Sequence, residues 1–513
     1  KMSAQPHSET SSDIDSALQI LIFASFVPIM CLAGEWTNPT IGVPMLVKEV
    51  TAHIYLGTLI TGWFWTQRKK NDGTLNFSSI TFLFSAMFLL GTLSVLWSAN
   101  SDFFISKWLK WCCVAIVFFF GLKIKQSETN LSTIFGLLVV GGAIVAIIGI
   151  AQHQFLFSWL PQQPLHSPST FGNQNYAGHV IALLAPCTLF FLFSKNTSNS
   201  TVWINSTCSA LLLSYASYTN SFSLWLSLVF EISAITMFII FDGKKRRSWL
   251  FWNRQKTYSA IFALLVFLTL SNLPKGTFYS LLENKLEISD VSIPSDFLTI
   301  NTSNLSSEIS GTISTIKQRE GRDIAGRYVS FSTAIDMIKT APLVGTGLGS
   351  FFHNLNSEKV KRGKMVGVQQ IHNDTLELVV ELGLLGLGLL LAIGIWMCLS
   401  LIKIWRHSEG YHRLSAILLT AAIMGGLLTA QISFPLQLMT PLVIMALLVS
   451  MLLKNAQDFS PTLTIKKLKV GARFYQICFT SCATLFAVTL FLDFQWLREG
   501  RKITKNFDEK SQA

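Results

Sequence analysis

The chain alternates between apolar segments of roughly 20 residues and shorter polar stretches. A helix that crosses the hydrocarbon core of a bilayer needs about 20 mostly apolar residues. The pattern predicts thirteen such helices, near residues 17–34, 46–66, 79–98, 104–123, 131–151, 177–195, 202–218, 222–241, 255–272, 373–402, 413–430, 436–453 and 474–495. The predicted fold is an all-α polytopic membrane protein with about 12–13 transmembrane helices.

The polar stretches divide the chain into five parts. We predict a disordered cytoplasmic tail at 1–16, the first nine helices within 17–272, a long polar loop at 273–372, four more helices within 373–495 and a C-terminal tail at 496–513. The loop is about 100 residues long, far longer than an ordinary connection, so we expect it to be functional or separately folded.

The second half of this loop contains a helical pattern. In "GRYVSFSTAIDMIKTAP", apolar residues recur at helical spacing up to Pro342, which predicts an amphipathic helix lying at the outer membrane boundary. The following "GTGLGSF" (345–351) has the glycine content of a phosphate-binding loop, but no strand precedes it. A tight turn that returns the chain to the membrane is the better interpretation.

Basic clusters between the helices predict the orientation in the membrane, since Lys and Arg are enriched in cytoplasmic loops. With the amino terminus inside, five clusters fall on the cytoplasmic side: "QRKK" at 67–70, "KIK" at 123–125, "KKRR" at 244–247, "KIWRH" at 403–407 and "KKLK" at 466–469. The long loop is then periplasmic. An odd number of helices places the C-terminal tail outside as well.

The composition supports a membrane protein and excludes several other classes. The chain is 50% hydrophobic and only 13% charged, about half the charged fraction of a soluble protein. Its net charge of +12 follows from the basic loops and does not indicate nucleic-acid binding. All eight cysteines lie in apolar segments, so neither disulfides nor a zinc site is predicted. No metal or cofactor is expected.

Several titratable groups lie at the start of an apolar segment, in "QQIHNDTLELVVELGLLGLGLLLAIGIW". His372 could accept a proton near neutral pH, as a general base must; the alternative is that it belongs to an ordinary helix start. If one helix continues from His372, Gly383 and Gly386 share its face and allow another helix to approach. Glu381 then lies on the opposite face, where we expect a buried partner.

Two further groups could bind a charged or sugar substrate. Arg319, Arg322 and Arg327 in "KQREGRDIAGRYVSF" suit phosphate oxygens, or alternatively lipid headgroups. Asn173 and Asn175 in "TFGNQNYAGH" are of the kind that bind sugars, although turns and helix caps use the same residues.

Three stretches in this order resemble the O-antigen ligase / O-antigen polymerase superfamily, which includes protein O-oligosaccharyltransferases. They are "FGNQNYAGHVIALLAP", "GRYVSFSTAIDMIKTAPLVGTGLGSFF" and "HNDTLELVVELGLLG". The resemblance implies a metal-independent, inverting glycosyltransferase of the bacterial inner membrane with its site on the periplasmic side. The implied donor is a glycan on undecaprenyl diphosphate. The implied acceptor is lipid A-core, most in keeping with a ligase, or another glycan or a protein.

The resemblance also assigns roles to residues. His372 corresponds to the family histidine that deprotonates the acceptor hydroxyl, and Arg327 to the arginine that binds the diphosphate leaving group. Many members carry another arginine after the seventh helix, where this chain has Phe222. Either Arg319 or Arg322 would then supply the second cation, or the diphosphate would be bound more weakly in this protein.

A transporter or lipid flippase is the alternative from another class. It would use Glu231, Glu377 and Glu381 as proton sites within the membrane. We find no inverted repeat in the sequence that would support it.

Overall fold

The computed structural model describes residues 17–34, 43–67, 73–156, 167–243, 246–276, 329–354, 371–458 and 464–512. Within these ranges nine helices are long and apolar enough to cross a membrane. The prediction of an all-α polytopic membrane protein is confirmed. The predicted tail 1–16 lies outside the described residues.

The described residues form seventeen helices. They are α1 (Ala17–Ala24), α2 (Phe26–Leu32), α3 (Val43–Gln67), α4 (Ser79–Leu93), α5 (Ser101–Gly121), α6 (Glu128–His153), α7 (Gln174–Phe193), α8 (Asn199–Thr219), α9 (Phe222–Phe241), α10 (Arg246–Trp249), α11 (Arg254–Ser271), α12 (329–340), α13 (350–354), α14 (Asp374–His407), α15 (Gly410–Ile432), α16 (Met439–Asp458) and α17 (Ala472–Gln512). Short 3₁₀ turns occur at Ser94–Leu96, Ser169–Phe171 and Pro435–Gln437.

Every predicted apolar segment falls on a helix, but four of the thirteen differ from a regular span. The first is divided into α1 and α2 at Ser25, whose hydroxyl donates to the Leu21 carbonyl at 2.6 Å. Helices α3, α8 and α11 are not among the nine helices apolar enough to cross by composition. In α3 the reason is visible in the sequence, which places Lys48, Glu49 and His53 in its first half.

A two-stranded antiparallel ribbon adds to the helices. Strand β1 (Gly73–Ser78) pairs with β2 (Thr464–Val470), so that Gly73 lies opposite Val470 and Phe77 opposite Lys466. The charge of the "KKLK" cluster predicts only a cytoplasmic loop. The pairing could not be read from it, because it joins segments almost 400 residues apart.

Contacts between the connections divide the molecule into two ends. At one end, which we call the His372 end, the connections after α4, α6, α11 and α15 lie near the start of α14. Asn373 donates to the Gln431 carbonyl at 3.1 Å, and the Gly276 amide donates to the His153 carbonyl at 3.3 Å. The termini that these bonds join, of α6, α11, α14 and α15, are all predicted to be outside.

The opposite end, which we call the basic end, contains the described parts of the basic clusters. Asn130 binds the Lys125 carbonyl at 2.9 Å, and the Phe251 amide binds the Phe193 carbonyl at 3.0 Å. Arg413 is buried there against Asp242. The ribbon, with its "KKLK" strand, joins this end through Gln457 and Ser78.

The core lies among α6, α7, α15 and α16. Of the apolar window in α16, 94% is buried, against 11% of that in α17. Helix α16 is therefore central and α17 peripheral. Helix α17 is held along α3, where His53 Nδ1 lies 3.0 Å from the Asp493 carboxylate.

Candidate active site

The helix that follows His372 is interrupted. His372 itself has a left-handed backbone (φ 61°) and precedes the helix, whose N-cap Asn373 accepts a hydrogen bond from the Leu376 amide at 2.8 Å. Gly383 then breaks the helix with φ 64° and ψ −164°, a region open almost only to glycine. The helix starts after His372 and is broken at Gly383, so the condition for His372, Gly383 and Gly386 to share one helix face is not met.

The loop 342–350 fills this break. Thr346 and Gly347 donate their amides to the carbonyls of Val380 and Glu381, both at 2.9 Å. In return, the amides of Leu384 and Leu385 donate to the carbonyls of Pro342 and Leu343 at 2.9 and 3.1 Å. The loop thus supplies the partners that a regular helix would provide through its own i to i−4 bonds.

Glycines allow the loop to enter the helix. A Cβ on Gly345 would lie 2.3 Å from the Glu381 carbonyl carbon, and one on Gly383 would lie 2.3 Å from the Leu343 oxygen. Gly386 does not accommodate a neighbouring helix either, because its close contact is with the side chain of Leu382 in the same helix. The predicted approach of another helix at the two glycines is replaced by the approach of a loop at Gly383.

Two ionic contacts join α5 to the broken helix, and one hydrogen bond joins the loop to the same carboxylate. Lys107 Nζ lies 2.7 Å from Glu377 Oε1 and 2.7 Å from Glu381 Oε2. Glu381 Oε1 accepts the Gly349 amide at 2.9 Å. All three side chains are largely buried, with exposures of 15% for Lys107, 5% for Glu377 and 2% for Glu381. Lys107 is the buried partner of Glu381.

The turn between α4 and α5 holds the other side of the loop. The Leu348 amide donates to Ser94 Oγ at 3.1 Å, and Ser98 Oγ donates to the Leu348 carbonyl at 2.9 Å. Ser98 also fixes the space at Gly347, where a Cβ would lie 2.7 Å from the Ser98 Cα. The loop is thereby bonded on both faces.

His372 lies beside a small group of aromatic and polar side chains. Its ring packs edge-on against Phe434, with the centroids 5.0 Å apart. Tyr176 and His179 contact the same ring edge-on at 5.6 and 6.4 Å. His179 Nε2 lies 3.0 Å from Ser433 Oγ. His372 is partly exposed, whereas His179 is buried, so His372 is the histidine that a substrate can reach.

The first turn of α14 is anchored to the connection between α15 and α16. Asp374 is buried and accepts hydrogen bonds from the Leu436 amide at 2.9 Å and from Gln437 Nε2 at 3.1 Å. Gln431 Nε2 donates to Thr375 Oγ1 at 2.9 Å. These bonds fix the backbone immediately after His372.

The segment that follows the arginines packs against the segment that carries His372. Val329, Met337, Phe351, Ile371 and Val380 belong to one buried apolar cluster. Arg319, Arg322 and Arg327 lie outside the described residues. Val329 lies two residues after Arg327 in the sequence, and Ile371 directly precedes His372. Residues next to both candidate side chains in the sequence therefore belong to this cluster.

The candidate sugar-binding residues lie at the start of α7. Asn173 caps this helix, its Oδ1 accepting the Asn175 amide at 2.8 Å. The Asn175 side chain is exposed. The helix they begin also carries Tyr176 and His179, which places both asparagines at the His372 end.

Comparison with known families identifies the region that contains this geometry. Residues 207–391 match the family model described as O-Antigen ligase. This region of the chain is thus similar to an O-antigen ligase domain. No curated protein matches the chain. The match supports a membrane glycosyltransferase of the O-antigen ligase and polymerase type.

The matched region includes His372, the loop 342–350 and the break at Gly383. Lys107 and the α4–α5 turn, which also hold the loop and the broken helix, precede this region. Phe222 lies within the matched region at the start of α9, with 76% of its surface exposed.

Sequence reasoning did not identify Lys107. The signal was present, because Lys107 and Lys110 are charged residues within a predicted transmembrane segment, where charges mark partners or function. Its pairing with Glu377 and Glu381 spans 270 residues of chain and required the fold.

Proposed function

We propose that this protein transfers a glycan from undecaprenyl diphosphate to an acceptor hydroxyl at the periplasmic face of the bacterial inner membrane. The observation that carries the proposal is the partly exposed His372, held out of the helix at the end of the molecule opposite the basic clusters, within the region similar to an O-antigen ligase domain. A lipid-linked donor places its diphosphate at the level of the headgroups, where this end would meet it.

In the proposed reaction His372 acts as general base. It takes the proton of the acceptor hydroxyl while the oxygen attacks the anomeric carbon, and the bond from that carbon to the diphosphate oxygen breaks with inversion. Arg327 would bind the departing diphosphate, with Arg319 or Arg322 as a second cation, since fixed cations favour the departure of a negatively charged group. Asn173 and Asn175 would contact the glycan or the acceptor. No metal or cofactor takes part in this scheme.

The ionic contacts favour a transferase over a transporter. A proton carrier within the membrane needs carboxylates that can exchange protons, but Glu377 and Glu381 are both bonded to Lys107. Glu231 is buried against Ser227, which donates to it at 2.8 Å. Arg327→Ala should abolish transfer by an enzyme and leave a flippase that uses these carboxylates active.

The deciding experiment measures donor consumption by purified protein in nanodiscs with an undecaprenyl-diphosphate-linked glycan. Three acceptors are compared: lipid A-core, a Ser/Thr-rich peptide and the donor itself. We expect turnover with lipid A-core and a loss of about 10²–10⁴-fold in His372→Ala, the usual contribution of a general base.

The matched control is His407→Ala, an exposed histidine at the basic end, which should retain wild-type turnover. Turnover with the peptide or with the donor would instead identify an oligosaccharyltransferase or a polymerase. Equal turnover by wild type and His372→Ala would eliminate His372 as the base.

A further inference from the structure

The loop 342–350 connects the two segments to which the proposed chemistry is assigned. It begins where α12 ends, 15 residues after Arg327, and it is bonded into the helix that follows His372. Any shift of the loop along the helix would therefore change the separation between His372 and α12. The contacts that fix the loop are accordingly candidates for controlling the reaction geometry.

The glycines admit the loop only at the break in the helix. Two side chains then bind loop amides in this register. Glu381 accepts the Gly349 amide at 2.9 Å, and Ser94 accepts the Leu348 amide at 3.1 Å. The Glu381 carboxylate is itself held at 2.7 Å by Lys107, which also binds Glu377 one turn earlier.

We propose that Lys107 is a positioning residue of this transferase. By bridging Glu377 and Glu381 it fixes the loop 342–350 in the break of α14, and thereby sets the position of α12 relative to His372. This inference rests on the proposed function. Lys107 does not contact the reacting atoms in this scheme and acts through Glu381. A displacement of about 1 Å between reacting groups lowers turnover about 100-fold.

The test compares Lys107→Met with Lys110→Met. Lys110 lies one turn further along the same helix and is similarly buried (17% exposed). It pairs with Glu49 at 2.7 Å and donates to the Gln437 carbonyl at 3.2 Å, and among the described residues neither contact involves the loop 342–350. Hydrogen exchange of the full-length protein in nanodiscs is measured for the amides of 346–349 and 384–385. We expect exchange at these amides to increase at least tenfold in Lys107→Met and to remain at the wild-type level in Lys110→Met.

Kinetics provide the second readout. With the lipid-linked donor, we expect kcat to fall about 100-fold in Lys107→Met, while KM for the donor changes less than about threefold. Lys107→Arg, which keeps the charge and can bridge two carboxylates, should recover kcat to within about tenfold of wild type. A residue needed only for stability would lower the amount of folded enzyme and leave kcat per folded molecule unchanged.

A second variant covers the case in which Lys107→Met does not fold. Lys107→Gln combined with Glu377→Gln removes one charge of each sign and leaves the net charge of the cluster as it was. The same increase in exchange and loss of kcat are expected.

Three outcomes would overturn the inference. Unchanged exchange at 346–349 would refute the role of Lys107 in holding the loop, whether or not the protein transfers glycans. Increased exchange with unchanged kcat would refute positioning while leaving the proposed function intact. Absence of turnover in the wild type with every acceptor would overturn the proposed function and this inference together, even if the exchange result identified the lysine as a loop anchor.

Discussion

At the scale of single residues, the candidate site depends on backbone conformations that few side chains tolerate. His372 is one of four non-glycine residues with positive φ among the described part of the chain, and it immediately precedes the capped start of α14. A residue with left-handed backbone angles before a helix turns the chain away from the helix axis. The imidazole is thereby presented beside Phe434 and not along the helix surface.

Gly383→Ala should destabilise the protein. The native φ of 64° and ψ of −164° cost a residue with a side chain about 1–3 kcal/mol, and the added Cβ would lie 2.3 Å from the Leu343 oxygen. Thermal unfolding in detergent measures the effect. Gly388→Ala is the control, since a Cβ there meets nothing within 4 Å, and alanine favours a helix by about 0.5–1 kcal/mol. Equal melting temperatures for the two variants would contradict the role given to Gly383.

The sequence identifies single residues of the candidate site but not how they are arranged relative to one another. His372 could be selected because a titratable group at the mouth of an apolar segment is costly and conspicuous. Its relation to Gly383 and Gly386 could not, because a helical projection assumes that the helix continues. The sequence contains the glycines that permit the break, but the loop that occupies it lies about 35 residues earlier.

Among the elements of the fold, the helices could be predicted from the sequence. Long apolar segments leave a chain in lipid little choice but to satisfy its backbone polar groups within a helix. The ribbon of β1 and β2 could not be predicted, because two polar segments can pair without any apolar pattern that marks them. Helix α17 also extends through the predicted tail at 496–513 to Gln512.

One buried pair joins the long helix α17 to α3, in addition to aromatic contacts such as Trp63 with Tyr475. His53 and Asp493 are 3% and 2% exposed, with His53 Nδ1 and the carboxylate 3.0 Å apart. Breaking a buried pair by removing one partner costs about 3–5 kcal/mol. We expect Asp493→Ala to lower stability by about 3 kcal/mol, as measured by thermal unfolding in detergent.

Two comparisons make this measurement specific. Asp493→Asn retains an oxygen that accepts a hydrogen bond and should be less destabilising. Asp336→Ala removes a carboxylate that is 64% exposed in its pair with Lys339, so it should leave the melting temperature unchanged. If Asp493→Ala were as stable as Asp336→Ala, the pair would not hold the helix.

At the scale of the whole molecule, the grouping of connections into two ends agrees with the arrangement predicted from the basic clusters. The described parts of these clusters lie together, and His372 lies at the opposite end. Such a separation of charge orients a membrane protein, because basic loops remain in the cytoplasm. The direction in which the molecule crosses the membrane is a prediction that can be measured directly.

Cysteine labelling tests this orientation. In a cysteine-free background, Ser101→Cys at the His372 end and His407→Cys at the basic end are treated with a membrane-impermeant maleimide; both native side chains are exposed. In cells with a permeabilised outer membrane, we expect Ser101→Cys to react and His407→Cys to react only after the inner membrane is opened. The reverse pattern would place His372 in the cytoplasm and exclude a periplasmic reaction.

The loop bonded into α14 has a consequence for how the chain is assembled. Gly383 can adopt ordinary helical angles, and the amides of Leu384 and Leu385 would then bond to the carbonyls of Val380 and Glu381 within a straight helix. Docking of the loop exchanges these two bonds for four with Pro342, Leu343, Thr346 and Gly347. The helix can therefore enter the bilayer straight, with no polar backbone group exposed to lipid. We expect the break at Gly383 to form only when the loop 342–350 docks, after the helix has entered the bilayer.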